Sequence, residues 1–239
     1  MLYPEVGLAA TRVLERLGCE LVLPEQQVCC GQMFYNSGYG PQGSRIIKNT
    51  IDAYQDYETI VSLSGSCAYA LKVEARKFLA DDDEYLAKLD YLKPRMFEFT
   101  EFIVDKLGVT DVGAYFPHTV TYHKSCHLTR LLGIQRQPLA LLQAVEGLEY
   151  VPMRAADRCC GFGGTFSVKE PEISEVMVSE KVETALETGA EYLCGADQPC
   201  LLNIEGRLKR LRESGDEAAT ASDMQVIHIA QILDSRKEA

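Results

Sequence analysis

The sequence contains no long hydrophobic run and no cluster of basic residues. No apolar stretch approaches the roughly 20 residues that a membrane-spanning helix needs, and no signal peptide is predicted before the first helix. The chain has 24 lysines and arginines against 35 aspartates and glutamates, for a formal net charge of −11. Because phosphate binding needs a basic patch, this balance argues against a nucleic-acid partner. The composition, with 46% hydrophobic and 25% charged residues, is typical of a globular protein.

The nine cysteines are too few for a disulfide-rich scaffold. They make up about 4% of the chain, whereas such scaffolds have roughly 8–10%. The odd count and the chain length predict reduced thiols in a cytoplasmic protein. Two vicinal pairs are each followed by glycine, at residues 29–31 and 159–161. Neighbouring cysteines are poorly placed to form a disulfide with each other, but they can offer two thiolates to one metal centre.

The two Cys-Cys-Gly segments belong to an internal repeat, whose offset is the distance along the chain from Cys29 to Cys159. A further cysteine follows each pair after a similar interval, Cys67 in the first half and Cys200 in the second. We therefore predict two CCG repeats, residues 1–110 and residues 111–239.

Helical and extended patterns alternate in each half. Strands are predicted at residues 21–23, 59–63, 119–123, 150–153 and 191–194. Helices are predicted at residues 10–17, 46–54, 68–79, 98–107, 172–187, 201–211 and 228–233, and a further one begins at residue 128. This alternation predicts an α/β fold in which each repeat is a small parallel sheet flanked by helices. Ligand sites in such folds lie at the carboxyl ends of the strands.

The first repeat is predicted to lack its N-terminal strand. The second repeat opens with the predicted strand at residues 119–123 and then Cys126, and the repeat offset places their counterparts before Met1. The incomplete first repeat would have an unpaired sheet edge, through which a homo-oligomer can form. We expect the coding sequence upstream of Met1 to encode the missing strand and a cysteine.

Seven cysteines are the candidate metal ligands, because each follows a predicted strand. The first cysteine set is Cys29, Cys30 and Cys67, and the second cysteine set is Cys126, Cys159, Cys160 and Cys200. Four thiolates are enough to complete a [4Fe–4S] cluster or a zinc site. The alternative for any single cysteine is a small buried hydrophobic residue. We assign Cys19 and Cys194 to the core on that basis, since neither has a partner in the other repeat.

Glycine and histidine residues flank the second cysteine set. Gly161, Gly163 and Gly164 can bring the backbone close to a cluster and direct N–H groups at its sulfurs. They lack the spacing of a dinucleotide-binding loop. His123 and His127 are each a candidate ligand, proton carrier or hydrogen-bond donor to a cluster. The alternative for either is a loop histidine that bonds to the backbone.

Seven segments carry a family resemblance and span nearly the whole chain. They are residues 4–7 (PEVG), 29–32 (CCGQ), 35–39 (YNSGY), 64–67 (SGSC), 125–127 (SCH), 159–167 (CCGFGGTFS) and 195–197 (GAD). In these segments the chain resembles the CCG cysteine-rich domain, which occurs twice in the cysteine-rich subunit of heterodisulfide reductase and in iron–sulfur subunits of glycolate and glycerol-3-phosphate dehydrogenases. It is similar above all to the lactate utilization protein A family.

The resemblance implies a cytoplasmic protein that acts with two partner proteins to oxidise L-lactate to pyruvate. The chain departs from the fuller family pattern at Ala70 and Asn203, where that pattern has a further cysteine. An ordinary four-cysteine site is therefore implied, rather than the unusual cluster of the heterodisulfide enzyme. Family members also carry an N-terminal strand and a cysteine that would precede Met1.

The predicted function is that of an iron–sulfur electron-transfer subunit in a lactate-oxidising system. The sequence offers no separate catalytic triad or acid–base pair, so a self-sufficient enzyme is not predicted. Two alternatives stay open. One is a thiol–disulfide oxidoreductase of heterodisulfide-reductase type, in which a thiolate attacks a substrate disulfide. The other is a zinc-stabilised scaffold that assembles partner proteins.

Overall fold

The computed structural model describes residues 3–237, and over this range the protein is a mixed α/β fold. The strands are β1 (Ile60–Ser62), β2 (Met96–Glu98), β3 (Thr119–His123), β4 (Glu149–Tyr150), β5 (Tyr192–Gly195) and β6 (Gln225–His228). The helices are α1 (Pro4–Arg16), α2 (Gln32–Ser37), α3 (Gly40–Tyr54), α4 (Gly65–Tyr69), α5 (Ala75–Phe78), α6 (Asp83–Leu92), α7 (Phe99–Glu101), α8 (Arg136–Gln143), α9 (Phe166–Lys169), α10 (Pro171–Leu186), α11 (Gln198–Glu213), α12 (Glu217–Ala221) and α13 (Ile229–Asp234). Wider π-helical turns occupy Ala70–Glu74, Phe102–Lys106 and His127–Leu131, and a 3₁₀ turn occupies Lys93–Arg95.

Two parallel sheets correspond to the two halves of the chain. In the first, β1 pairs with β2, and Ile60 lies opposite Met96. In the second, the strand order is β4-β3-β5-β6, and Val120 of β3 is flanked by Tyr150 and Tyr192. Among residues 3–237 the first sheet thus has two strands and the second has four. These parallel sheets with flanking helices confirm the predicted α/β class.

The helices that follow β2 and β6 begin in the same way. Glu98 and His228 are related by the repeat offset, and each caps its helix. The Glu98 carboxylate accepts a hydrogen bond from the Thr100 N–H at 2.7 Å, and the His228 ring accepts one from the Ala230 N–H at 3.2 Å. A capping side chain satisfies backbone donors that the first turn of a helix leaves without partners.

Helices of the two halves pack against each other around a shared core. Helix α1 packs on α13 of the other half, and α8 packs on α7 and the π turn that follows it. Val13, Phe99, Val120 and Ile229, all fully buried, belong to one apolar cluster. Burial of this surface is the main stabilising term for the fold. The division of the chain near residue 110 stays a prediction. No helix within residues 3–237 has both the length and the apolar character to cross a membrane.

Some of the predicted elements differ from the structure. The predicted strand at residues 21–23 is wrong, since these residues form no strand and the Val22 and Leu23 side chains are 62% and 70% exposed. The equivalent β4 pairs with β3, whereas the described part of the first half offers no strand in the position of β3, so these backbone groups have no ladder to join. β4 itself is shorter than predicted. β2 and β6 were not predicted, because each is short and leads directly into a helix.

His228 is a buried histidine with both ring nitrogens engaged. Its Nδ1 accepts from the Ala230 N–H, and its Nε2 lies 3.2 Å from the Leu63 carbonyl oxygen, to which a protonated Nε2 donates. This arrangement requires the neutral imidazole, because Nδ1 must keep its lone pair. Burial lowers the pKa of His228 from 6.5 to about 4.

We expect acid to destabilise the fold through His228. Its folded-state pKa is depressed, so its contribution is complete above the unfolded-state pKa near 6.5 and is lost as the pH falls towards about 4. Between about pH 7.5 and about pH 5 this loss is about 2 kcal/mol of unfolding free energy. Urea unfolding of the parent and of His228→Gln, which does not titrate, measures it. Equal pH dependence in the two proteins would contradict the assignment.

Candidate metal centre

The second cysteine set lies at the carboxyl ends of three adjacent strands. Cys126 follows β3 and precedes the π turn His127–Leu131. Cys159 and Cys160 lie in the loop after β4, and Cys200 lies in the first turn of α11 after β5. Because β4, β3 and β5 are neighbours in a parallel sheet, their ends meet at one edge. The structure therefore brings together four cysteines that come from three distant segments of the chain.

His123 is a fifth side chain in this site. It is the last residue of β3, and one of its ring nitrogens, the Cys160 sulfur and the Cys200 sulfur lie within 4.8 Å of one another. All three side chains are buried, with His123 only 1% exposed. Among residues 3–237 neither ring nitrogen of His123 has a partner at hydrogen-bond geometry, although the Ala156 backbone lies near the ring. Burial lowers the pKa of His123 to about 3. A buried polar group without a partner is costly, so this ring is suited to a metal or cluster held by the cysteines.

The thiols of the second set shift one another's pKa values through hydrogen bonds. Hydrogen bonds from the Cys126 and Cys160 thiols, aided by the Gly161 N–H at 3.5 Å, hold the pKa of Cys159 well below its usual range. The hydrogen bond to Cys159 and burial raise the pKa of Cys126, and hydrogen bonds to Cys159 and Cys200, together with burial, raise that of Cys160. The protein alone thus favours one thiolate, because adjacent thiolates repel. Ionisation of all four requires a positively charged centre, which is the requirement of a thiolate-bound metal.

His127 lies at the rim of the site. Its Nδ1 is 3.6 Å from the Cys126 sulfur, and its Nε2 is 3.3 Å from the side-chain nitrogen of Gln32 in the first half. The ring also packs against the Tyr69 ring, with 5.3 Å between centroids. Of the two candidate histidines, His123 therefore lies beside the buried Cys160 and Cys200, and His127 lies beside Cys126.

The three glycines after the second cysteine pair have different roles. Gly161 has φ of +77°, and a Cβ there would lie 2.8 Å from the Ser174 carbonyl oxygen, so glycine is required where its N–H donates to Cys159. Gly163 and Gly164 also have positive φ, and both lie beside Asn36 of the first half. The Gly163 carbonyl accepts a hydrogen bond from the Asn36 side chain at 3.0 Å, and a Cβ on Gly164 would lie 3.1 Å from the same side chain. Gly163 and Gly164 thus contact α2.

The first cysteine set is more open than the second. The Cys30 and Cys67 sulfurs are 3.0 Å apart, whereas Cys29 is exposed. The Cys29 thiol lowers the pKa of Cys30, but the hydrogen bond to Cys67 and burial outweigh it and raise that pKa to about 12. The buried Tyr35 hydroxyl has no hydrogen-bond partner within residues 3–237. Burial raises the pKa of Tyr35 most, and the nearby Cys30 adds to the effect. The described residues thus place three thiols here, without a fourth.

Asp197 joins the segments that carry the two sets. It is 1% exposed. Its Oδ1 accepts hydrogen bonds from the hydroxyls of Ser64 at 2.5 Å and Ser66 at 2.9 Å. Its Oδ2 accepts from the Ser66 N–H at 3.1 Å and from the Ser125 hydroxyl at 2.8 Å. Ser66 directly precedes one cysteine of the first set, and Ser125 directly precedes one of the second, so one carboxylate positions both.

Sequence reasoning missed Lys181 of α10. This lysine is 1% exposed, and its Nζ donates to the carbonyl oxygens of Ala155 at 2.9 Å and Ala156 at 3.1 Å. Burial lowers the pKa of Lys181 to about 8. Both carbonyls belong to the turn that leads into Cys159, in which Ala155 has a left-handed φ of 52°. The sequence feature that could have identified Lys181 is its place among the buried positions of a helix, where an unpaired charge is rare.

Three further residues match or refine the predictions made from the sequence. Cys194 is fully buried in β5, as predicted for the core. Cys19 is partly buried against the same core but lies in no strand. Asn203 stands where the fuller family pattern has a cysteine, and its side-chain nitrogen donates to the Cys160 carbonyl at 2.8 Å. Asn203 thus supports the loop of the second set instead of adding a sulfur.

Two segments of the chain match a known family model. Residues 1–72 and 120–205 match the CCG family model, described as a cysteine-rich domain, and these ranges contain all seven cysteines of the two sets. Lactate utilization protein A 1 of Bacillus cereus (strain AH820) is 48% identical over 236 residues, which cover 99% of this chain and 95% of that protein. Lactate utilization protein A 2 of Bacillus mycoides (strain KBAB4) has the same identity and coverage.

Proposed function

The chain belongs to the lactate utilization protein A family of CCG cysteine-rich-domain proteins, and on that premise we propose that it is the iron–sulfur electron-transfer subunit of a system that oxidises L-lactate to pyruvate. A role in lactate utilization follows from the name of the relatives, which match over 99% of the chain. The electron-transfer role is our inference from the chemistry of the second cysteine set.

The observation that carries the proposal is the convergence of four cysteines around a buried histidine whose ring nitrogens have no hydrogen-bond partner in the described part of the chain. Cys126, Cys159, Cys160 and Cys200 would hold a [4Fe–4S] cluster, with His123 available as a donor or further ligand. Such a cluster, when bound, accepts and releases single electrons. The Gly161 N–H points at the Cys159 sulfur, and hydrogen bonds to sulfur are one means by which a protein adjusts a cluster's potential.

The surroundings of the second set suit electron transfer rather than chemistry on a substrate. Cys160 and Cys200 are buried beneath the loop, and the rim residue His127 is held between Cys126 and Gln32. This enclosure excludes water from the Cys160 and Cys200 sulfurs, which protects that side of a cluster from hydrolysis and oxidation. We infer that lactate reacts on one of two partner proteins and that this protein receives the electrons in the cytoplasm.

A zinc-stabilised scaffold is the second candidate function. His123, Cys160 and Cys200 are ligand types that zinc accepts, and a closed four-ligand zinc site stabilises a fold without redox chemistry. In this alternative the protein would assemble partner proteins without carrying electrons.

Anaerobic purification followed by an absorbance scan tests these candidates. We expect broad absorption across the boundary between the ultraviolet and the visible, together with about four irons for each filled site. Bleaching by dithionite would show that the centre accepts electrons. A colourless protein with stoichiometric zinc would support the scaffold instead. A colourless, metal-free protein that reduces disulfides would support a thiol–disulfide oxidoreductase and overturn the proposal.

A further inference from the structure

Lys181 is a buried cation that forms no ion pair with the carboxylates of residues 3–237. Its ammonium donates to the carbonyls of Ala155 and Ala156. The groups whose negative charge favours its own are, in order, Cys160 when it is ionised, the exposed Asp157 carboxylate and Cys200 when it is ionised. A buried charge is expensive unless an opposite charge lies nearby, and two neutral carbonyls supply only partial compensation. The arrangement therefore calls for negative charge at the second cysteine set.

The first half has no equivalent of this lysine. Helices α3 and α10 correspond in the repeat, with Pro41 and Pro171 related by the repeat offset. The same offset aligns Lys181 with Ile51, which is fully buried in the core of the first half. The two cysteine sets thus differ in charge, because only the second has a buried cation at this place in the repeat.

We propose that Lys181 is a positioning residue that supplies the buried positive charge for an anionic metal–thiolate group on the second cysteine set. This inference rests on the proposed function for the identity of that group. A metal bound by four thiolates is negatively charged overall, and a nearby cation in a low-dielectric interior stabilises it more strongly than a surface cation does. The lysine also ties the turn that contains the left-handed Ala155 to α10, which sets the approach of the chain to Cys159.

The buried charge has two consequences for metal binding. The second cysteine set should bind a metal ion more tightly with the lysine than without it, because the metal–thiolate group that forms is anionic. A cluster held there should also have a raised reduction potential, because reduction adds a negative charge next to the ammonium. Ile51 offers no such stabilisation to the first set, so the two sets are electrically distinct despite their common motif.

The test compares Lys181→Met with Lys181→Arg and with the control Arg158→Met. Lys181→Met removes the charge and keeps an unbranched chain of similar length. Arg158 is next to Cys159 in sequence, but its side chain is 54% exposed and pairs with Glu180 at 2.8 Å, so water screens its charge. Potentiometric titration of the anaerobically reconstituted proteins should show a lower midpoint potential for Lys181→Met. The midpoints of Lys181→Arg and Arg158→Met should stay close to that of the parent. An unchanged midpoint in Lys181→Met would overturn the proposal.

A second measurement separates this inference from the proposed function. Metal-free protein carrying Cys30→Ser, which disables the first set, is titrated anaerobically with Co²⁺, and binding is followed by thiolate-to-metal absorption. We expect Lys181→Met in that background to bind Co²⁺ about tenfold more weakly, which is about 1.4 kcal/mol. Equal affinity would refute the role of the lysine. If the parent binds Co²⁺ with this dependence but takes up no iron–sulfur cluster, the proposed function fails while the inference stands. Should Lys181→Met not fold, Lys181→Gln replaces it as the uncharged variant, with the same expected results.

Discussion

Replacing Cys160 with serine is expected to remove nearly all of the iron bound at the second cysteine set. Cys160 lies between the Cys159 and Cys200 thiols, is buried, and is within 4.8 Å of the His123 ring. Even losing a group that only supports a ligand costs roughly 10–100-fold in metal affinity, so loss of a ligand itself should cost more than about 100-fold. Iron content per chain and visible absorption of anaerobically reconstituted protein measure the effect.

The matched control for Cys160→Ser is Cys194→Ser. Cys194 is also fully buried and also lies in the second half, but it is within β5 and packs in the core. Its substitution places a hydroxyl in an apolar environment and should lower the unfolding free energy by about 1–3 kcal/mol while leaving the iron content unchanged. Equal iron in Cys160→Ser and the parent would contradict the ligand assignment. A comparable iron loss in Cys194→Ser would mean that the first result reports folding.

Replacing Asp197 with alanine is expected to cost about 3–5 kcal/mol of unfolding free energy, the cost of breaking a buried charged network. The variant removes the acceptor of the hydroxyls of Ser64 and Ser125 and of both donors of Ser66. Each buried donor without a partner costs about 1–3 kcal/mol. Because Ser66 adjoins Cys67 and Ser125 adjoins the first cysteine of the second set, the metal content of both sets should fall together.

Chemical unfolding monitored by circular dichroism measures the stability of the Asp197 variant. Asp90→Ala is the control, because Asp90 is 51% exposed and pairs with the half-exposed Arg76, so its loss should change stability by less than about 1 kcal/mol. Asp197→Asn keeps the shape but loses the charge and should give an intermediate result. A loss of stability in Asp197→Ala no larger than in Asp90→Ala would show that the carboxylate does not join the two halves.

The elements that were predicted correctly from the sequence are those governed by local patterns. Residues 119–123 form β3 with the predicted bounds, because a run of β-branched and aromatic residues between turn signals is typical of a strand. Helix α10, Pro171–Leu186, begins one position before its prediction, and proline at its first position marks that boundary. The grouping of the second cysteine set also followed from sequence, because parallel strands place their carboxyl ends at one edge.

The elements that escaped prediction depend on distant partners. Residues 21–23 have a strand composition but no ladder to join, and composition does not report the absence of a neighbour. Asp197 was visible only as part of a family motif, since its serine partners lie 72 to 133 residues away. The role of Lys181 depends on the folding of the 155–158 turn over α10. In each case the physical cause is long-range packing, which a single sequence does not display.

The packing of α1 on α13 has a consequence for how the chain is made. Arg12 and Asp234 form an ion pair at 2.5 Å although they are 222 residues apart, and Arg16 bonds to the same carboxylate at 2.7 Å. A ribosome adds roughly 5–20 residues each second, so α1 would emerge at least about ten seconds before its partner exists. During that interval Val13 and its neighbours have no apolar surface from α13 to cover them. The two ends of the chain can therefore close on each other only after synthesis passes residue 234, and the cysteines emerge while the fold that encloses them is still incomplete.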